Sequence, residues 1–215
     1  MLSGYYFITD SRLSRAGNIS DVKNALACGV RVVQYRDKYS STKDMYIEAL
    51  KLRSICRKII FLVNDRLDIA LGVNADGLHI GCDDLPYHVA RKLLGKDKII
   101  GLTVHSFKEA KAAQRLGADY IGVSAIFATR TKGDAGEPLG TGLIRKIREE
   151  VSIPIIAVGG INLSNAKEVI ECGAYGLCAI SAVITKPDVK KEIKKFQALF
   201  LSYARSHQEG LKKNT

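Results

Sequence analysis

Residues 99–123 read IIGLTVHSFKEAKAAQRLGADYIGV, and the order of patterns within them decides the fold. Ile99–Leu102 is a short apolar run opening on β-branched residues, the composition of a strand. Ser106, with Glu109 three residues on, has the form of a capping box, in which the hydroxyl and the carboxylate satisfy the first free N–H groups of a helix. Ala110, Ala113 and Leu116 then recur at helical spacing, and Gly117 ends the helix because glycine enters the left-handed region without steric cost. Tyr120–Val123 is a strand again. A helix between two strands is the crossover that makes them parallel.

The same unit recurs along the whole chain. Apolar runs stand at Tyr5–Ile8, Val30–Tyr35, Ile59–Val63, Gly77–Ile80, Ile99–Leu102, Tyr120–Val123, Ile153–Val158 and Gly176–Ile180, with helical patterns between them. Ser41–Asp44 is a second capping box, before a stripe of Met45, Ala49, Leu52 and Cys56. Pro187 opens the last helix, whose Val189, Ile193, Phe196, Phe200 and Tyr203 are expected to face the core. Strands that are apolar throughout suit a parallel sheet covered on both faces. Eight such units in 215 residues predict an α/β fold of the (β/α)₈ TIM-barrel type, with residues 1–205 as one domain and 206–215 as a polar, frayed tail. The rival, an open doubly wound sheet, would show fewer strands at this length and a G-x-G-x-x-G after one of them, and none is present.

Composition narrows the function classes. Hydrophobic residues are 47% and charged residues 26%, an ordinary globular balance. No apolar run is long enough to span a bilayer, and the N-terminal MLSGYYFITD does not read as a secretion signal. Five cysteines, odd in number and without a C-x-x-C pair, exclude a disulfide scaffold, argue against a structural zinc site and point to a reducing, cytoplasmic setting. The net charge of +11 favours anionic partners. The basic residues are scattered through amphipathic segments, aromatics are 7%, and no RNA-recognition signature is present, so a nucleic-acid role has little support.

In a TIM barrel the chemistry sits where the strands end, and polar residues collect there. The strand exits carry Gln34-Tyr35-Arg36-Asp37-Lys38, Asn64-Asp65-Arg66, His79 through Asp84, Thr103 through Ser106, Thr129 through Gly136, Gly159-Gly160 and Ile180-Ser181. Each has a plain structural reading: Asp65 a helix cap, Asp84 a turn residue, Arg36, Lys38 and Lys132 solvated charges, Gly159-Gly160 a turn, and His105 a satisfied supporting group. Taken together they read differently. Two carboxylates on neighbouring strand ends suit Mg²⁺, which usually takes one or two carboxylates with phosphate oxygens and water. Basic residues around that pair would clamp a diphosphate.

The segments QYRDK, VNDRLDIAL, ADGLHIGCDDLP, IIGLTVHS, DYIGVSAIFATRTKGDAG, IPIIAVGGI and GLCAISAV, in this order from residue 5 to about residue 185, resemble the thiamine-phosphate synthase family. The resemblance implies a transferase of thiamine biosynthesis that joins a hydroxymethylpyrimidine diphosphate to a thiazole phosphate, releases diphosphate and requires Mg²⁺. It further implies that Gln34, Tyr35, Arg36, Asp37, Lys38, Asn64, Thr103 and Lys132 bind the pyrimidine diphosphate, with Gln34 and Thr103 towards the ring. Thr129, Arg130, Thr131, Gly160, Ile180 and Ser181 would hold the thiazole phosphate, Asp65 and Asp84 the Mg²⁺. Arg36, Lys38 and Lys132 would be catalytic, stabilising the departing diphosphate while the thiazole nitrogen captures the pyrimidine-methyl cation. No protein nucleophile is needed for that chemistry. The expected partners are two small molecules, with no nucleic acid and no membrane, and a homo-oligomer is left open. Departures from the family pattern are Thr103 for a Ser, Cys82 for a Gln, Ser124-Ala125 for a Gly-Pro and Ala128 for a Pro. The alternatives are a thiazole tautomerase paralogue, from which Asp65, Asp84 and Lys132 distinguish this chain, and a non-enzymatic anion-binding barrel.

Overall fold

The computed structural model of the protein describes residues 2–129, 131 and 136–213, with side chains as far as residue 204. Among the described residues nine strands form one parallel sheet. They are β1 (Gly4–Tyr5), β2 (Phe7–Ile8), β3 (Val32–Tyr35), β4 (Ile60–Asn64), β5 (Gly77–Ile80), β6 (Ile99–Val104), β7 (Tyr120–Val123), β8 (Ile155–Val158) and β9 (Gly176–Cys178). Their order is β1-β9-β8-β7-β6-β5-β4-β3-β2. β1 and β2 are one stretch that changes partner at Tyr6. Gly4 pairs with Gly176 on one side, Phe7 with Val33 on the other, and the Tyr6 N–H donates to Leu177 O at 2.9 Å. The two edges of the sheet are therefore the same segment of chain, and the ring closes into a (β/α)₈-type barrel. This is why the predicted first strand, Tyr5–Ile8, is divided in two.

Other boundaries move for local reasons. The run predicted from Ile153 begins pairing as β8 at Ile155, after Pro154, which has no N–H to give. The run predicted to Ile180 stops at Cys178, because Ile180 already caps the short helix α8 (Ser181–Ile184). The hydroxyl half of both capping boxes forms. Ser41 Oγ accepts from Asp44 N at the start of α2 (Thr42–Ile55), and Ser106 Oγ from Glu109 N at the start of α5 (Phe107–Leu116), each at 3.2 Å. Gly117 closes α5 in the left-handed conformation, φ 87°.

Successive residues face opposite sides of the sheet, giving two cores. Inside the barrel lie Leu2, Tyr6, Ile8, Val32, Leu62, Tyr120, Ile156 and Cys178. Between sheet and helices lie Val33, Tyr35, Phe61, Val63, Leu78, Ile100 and Ile121, covered by α1 (Asn18–Ala27), α2, α3 (Leu67–Gly72), α4 (Tyr87–Leu94), α5, α6 (Thr141–Glu150), α7 (Ala166–Glu171) and α9 (Val189–Lys213). α9 buries Val189, Ile193 and Phe196, with Phe196 stacked on Tyr5 at 5.4 Å, and its backbone stays helical past residue 206, where the sequence suggested a frayed tail. No helix among the described residues is long and apolar enough to cross a membrane.

Candidate functional site

The C-terminal ends of the strands surround a cavity of about 230 Å³. Period-two alternation decides which residues of β3 reach it. Gln34 points inward and lines the cavity, and Arg36 and Lys38 continue that face beyond the strand end. Tyr35 and Asp37 are not brought to it. Tyr35 faces the helices and is fully buried there. Asp37 turns back on its own loop, accepting from Tyr39 N at 2.8 Å, Ser40 N at 3.0 Å and Ser40 Oγ at 2.7 Å.

Two charged arrangements stand at the mouth. Arg36 donates through NH1 to Asp10 Oδ2 at 2.8 Å, and its backbone N–H donates to Thr9 Oγ1 at 2.9 Å, so the guanidinium is anchored from the end of the neighbouring strand β2. Lys38 forms an ion pair with Asp65. Asp65 occupies the left-handed region at φ 61°, which an aspartate tolerates better than most residues, and its N–H donates to His79 O at 2.8 Å. Asp84 neighbours Asp65 and accepts from Gly81 N at 2.7 Å. Burial, then the neighbouring Asp65, raises the Asp84 pKa, against the opposing Gly81 N–H and the Lys38 charge. Two adjacent carboxylates competing for one lysine form a site that a hard divalent cation would relieve.

Asn64, Thr103, Thr129, Thr131, Gly160, Ile180 and Ser181 also line the cavity. Arg130 and Lys132 lie outside the described residues. The Gly159-Gly160 turn is shaped for close approach. Both have positive φ, 96° and 65°, and a Cβ would fall 2.6 Å from Ala125 Cβ at the first and 2.5 Å from Ala128 O at the second. Asn165 Nδ2 donates to Gly160 O at 3.1 Å and fixes the orientation of that peptide. His105 is a supporting group, hydrogen-bonded through Nδ1 to Ser124 O. Of the cysteines, Cys178 and the exposed Cys82 line the cavity, while Cys56 and Cys172 are buried elsewhere.

The cavity floor joins Gln34 and Thr103 through Tyr6, Tyr120 and His79, to which the sequence assigned no role. Gln34 Nε2 donates to Tyr6 OH at 2.8 Å, Tyr6 OH meets Tyr120 OH at 2.9 Å, Tyr120 OH meets His79 Nδ1 at 2.8 Å, and His79 Nε2 meets Thr103 Oγ1 at 2.8 Å. The signal that could have found His79 is its imidazole at an inward position of an otherwise apolar strand. Asp10, Tyr6 and Tyr120 carried no such local mark.

Comparison with known proteins gives a consistent result. The profile of the family described as "Thiamine monophosphate synthase" matches residues 5–183. A thiamine-phosphate synthase from Methanosarcina barkeri is 53% identical over 193 residues, 89% of this chain and 88% of that protein. One from Methanospirillum hungatei is 48% identical over 201 residues, 92% of this chain and 98% of that protein. The solved structure of thiamine phosphate pyrophosphorylase from Pyrococcus furiosus superposes with a TM-score of 0.85 at 39% identity, covering 93% of this chain and 96% of that one.

Proposed function

The chain belongs to the thiamine monophosphate synthase family, and from that premise we propose how its own residues divide the work. The activity is the condensation of a hydroxymethylpyrimidine diphosphate with a thiazole phosphate to give thiamine phosphate and diphosphate. The observation that carries the assignment of roles is that Arg36, anchored on Asp10, and Lys38, paired with Asp65 beside Asp84, stand together at the mouth of one cavity.

Asp65 and Asp84 fit Mg²⁺. Among the described residues no group of three or more His, Cys, Asp or Glu converges, but Mg²⁺ needs only one or two carboxylates when phosphate oxygens and water complete its shell. Bound there, the ion would neutralise the developing charge of the diphosphate. Arg36, held in place by Asp10, and Lys38 bind the diphosphate oxygens and stabilise the leaving group as its bond to the pyrimidine methylene breaks. By the family resemblance Lys132, outside the described residues, would add a third cation to this clamp. Asn64, buried at the end of β4, contacts the same diphosphate. Gln34 and Thr103 hold the ring. Thr129 and Thr131, joined by a 3.2 Å bond from Thr131 N to Thr129 Oγ1, take the thiazole phosphate with the Gly160, Ile180 and Ser181 backbone. The thiazole nitrogen then captures the pyrimidine-methyl cation, and positioning contributes the remainder of the acceleration.

The test is an assay of the purified protein with both substrates. One diphosphate released per thiamine phosphate, abolished by omitting either substrate, supports the reading. Turnover of the thiazole compound alone would instead indicate a tautomerase.

A further inference from the structure

Gln34 and Thr103 are each ambiguous as recognition groups. A glutamine amide can present its oxygen or its nitrogen, and a threonine hydroxyl can donate or accept. We infer that Tyr6, Tyr120 and His79 form a one-directional hydrogen-bond relay that fixes Gln34 as an acceptor and Thr103 as a donor towards the cavity, and so selects an amino-substituted over an oxo-substituted pyrimidine ring. The inference rests on the reading that places the pyrimidine between Gln34 and Thr103.

The direction follows by assigning each proton in turn. Gln34 donates through Nε2 to Tyr6 OH at 2.8 Å, leaving its Oε1 as the group for a ligand. Tyr6 has accepted, so its own proton goes to Tyr120 OH at 2.9 Å. Tyr120 then donates to His79 Nδ1 at 2.8 Å. A neutral imidazole that accepts at Nδ1 carries its proton at Nε2, and that N–H donates to Thr103 Oγ1 at 2.8 Å. The Thr103 proton is left for the cavity. With Nε2 of Gln34 on Tyr6 OH, this is the direction in which each of these donors has an acceptor; turning the amide over would reverse every link. Tyr6 and Tyr120 are 1% and 0% exposed, so water cannot take over a broken link, and burial pushes both phenol pKa values up and keeps the protons in place.

The barrel makes room for these rings. Gly101 pairs in register with His79 on one side and Tyr120 on the other, and a Cβ on it would lie 2.1 Å from Tyr120 Cζ. Gly122 pairs with Thr103, and a Cβ there would lie 3.1 Å from His79 Cε1. The His79, Thr103 and Tyr120 end of the relay, on the adjacent strands β5, β6 and β7, is therefore accommodated by the absence of side chains beside it.

An aminopyrimidine edge offers an N–H donor beside a ring-nitrogen acceptor, which matches an acceptor at Gln34 and a donor at Thr103. An oxo ring in its usual N–H form reverses both, and leaves both protein groups facing their own kind. Sites built to hydrogen-bond a substrate reject mismatched analogues strongly, because their polar groups are then left unpaired. Tyr6, Tyr120 and His79 are thus positioning residues that act through Gln34 and Thr103.

The experiment compares competitive inhibition by the aminopyrimidine and oxopyrimidine methyl diphosphates in the parent and in Tyr120→Phe. That variant removes the donor to His79 Nδ1, so the imidazole can carry its proton there and Thr103 can donate to Nε2. The expected result is a fall of about tenfold or more in the amino-over-oxo preference, with the KM for the thiazole phosphate unchanged. An unchanged preference in the folded variant overturns the relay. Should Tyr120→Phe fail to fold, Tyr6→Phe interrupts the chain one link earlier and is judged by the same ratio. A parent enzyme with no amino preference, and no loss of pyrimidine affinity in Gln34→Ala, would sink the ring's placement itself and the inference with it.

Discussion

Lys38, carried past the end of β3, pairs with Asp65 at the end of β4, so one ammonium group sits against the carboxylate pair Asp65 and Asp84. The lysine has two possible anions, the aspartate and a diphosphate oxygen, and a cation between the carboxylates would release it to the second. Lys38→Met should lower kcat/KM for the pyrimidine diphosphate by about 1.5–3 kcal/mol, or about 10- to 150-fold, the range for one charge-assisted hydrogen bond. Steady-state kinetics with each substrate varied in turn would show it. A loss confined to the thiazole-phosphate KM would move Lys38 to the other half of the site.

The two glycines after β8 should be the least replaceable residues of the thiazole-phosphate cradle. Gly160→Ala forces a Cβ to within 2.5 Å of Ala128 O at a positive φ, and Gly159→Ala meets the Ala125 backbone at 2.7 Å. Strain of about 1–3 kcal/mol is expected at each. Either variant should show a raised KM for the thiazole phosphate and a lower denaturation midpoint. Unchanged values for both would mean that the loop relaxes freely and is not a shaped cradle.

Asp37 supplies a pH signature of stability separate from catalysis. Burial pushes its pKa up, but the Tyr39 N–H, the Ser40 hydroxyl and N–H and the nearby Arg36 charge outweigh it and hold the net value below the ordinary one. A folded-state pKa below the unfolded value, about 3.9, gives stability that is present above that pH and lost as pH falls through the folded value. Asp37→Ala should therefore cost about 1–3 kcal/mol at pH 7, and less in denaturant titrations below about pH 3.9. A cost independent of pH would show that the carboxylate charge is not what the turn uses.

The charge of the last helix should be dispensable. Lys190, Lys191, Lys194 and Lys195 are all exposed on α9, whose buried residues are Val189, Ile193 and Phe196. Replacing the four lysines by Gln should leave condensation rates nearly unchanged, and duplex DNA binding by the parent should stay near the non-specific range, about 10⁻⁴–10⁻⁶ M, with steep salt dependence. Nanomolar, sequence-selective binding at physiological salt would assign the +11 charge a purpose outside this chemistry.

What could be read from the sequence was what local physics determines. Apolar runs, the capping hydroxyls of Ser41 and Ser106 and the stop at Gly117 depend on neighbours within a few residues, and all four appear in the fold. The strand-exit residues Gln34, Arg36, Lys38, Asn64, Asp65, Asp84 and Thr103 could be named because a barrel gathers such ends, and the described structure brings them round one cavity. What was hidden depends on distant pairs. Asp10 is important only because Arg36, on the neighbouring strand, reaches it. Tyr6 and Tyr120 are separated by 114 residues and meet only across the closed barrel. Tyr35 and Asp37 were grouped with Gln34 because a motif read as a string ignores alternation, and the pleat sends Tyr35 to the other face.

The most direct test of the metal-and-cation clamp is a Mg²⁺ titration of the condensation rate in the parent and in Asp84→Asn, starting from chelator-treated protein. Asn keeps the size of the side chain and an oxygen to accept from Gly81 N, but removes the charge beside Asp65. The account predicts negligible diphosphate release without Mg²⁺ and a saturable rise in the parent. It predicts that Asp84→Asn needs far more Mg²⁺ and turns over orders of magnitude more slowly while remaining folded by circular dichroism. Full activity of the chelated parent, or a titration curve in Asp84→Asn superimposable on the parent's, would contradict it.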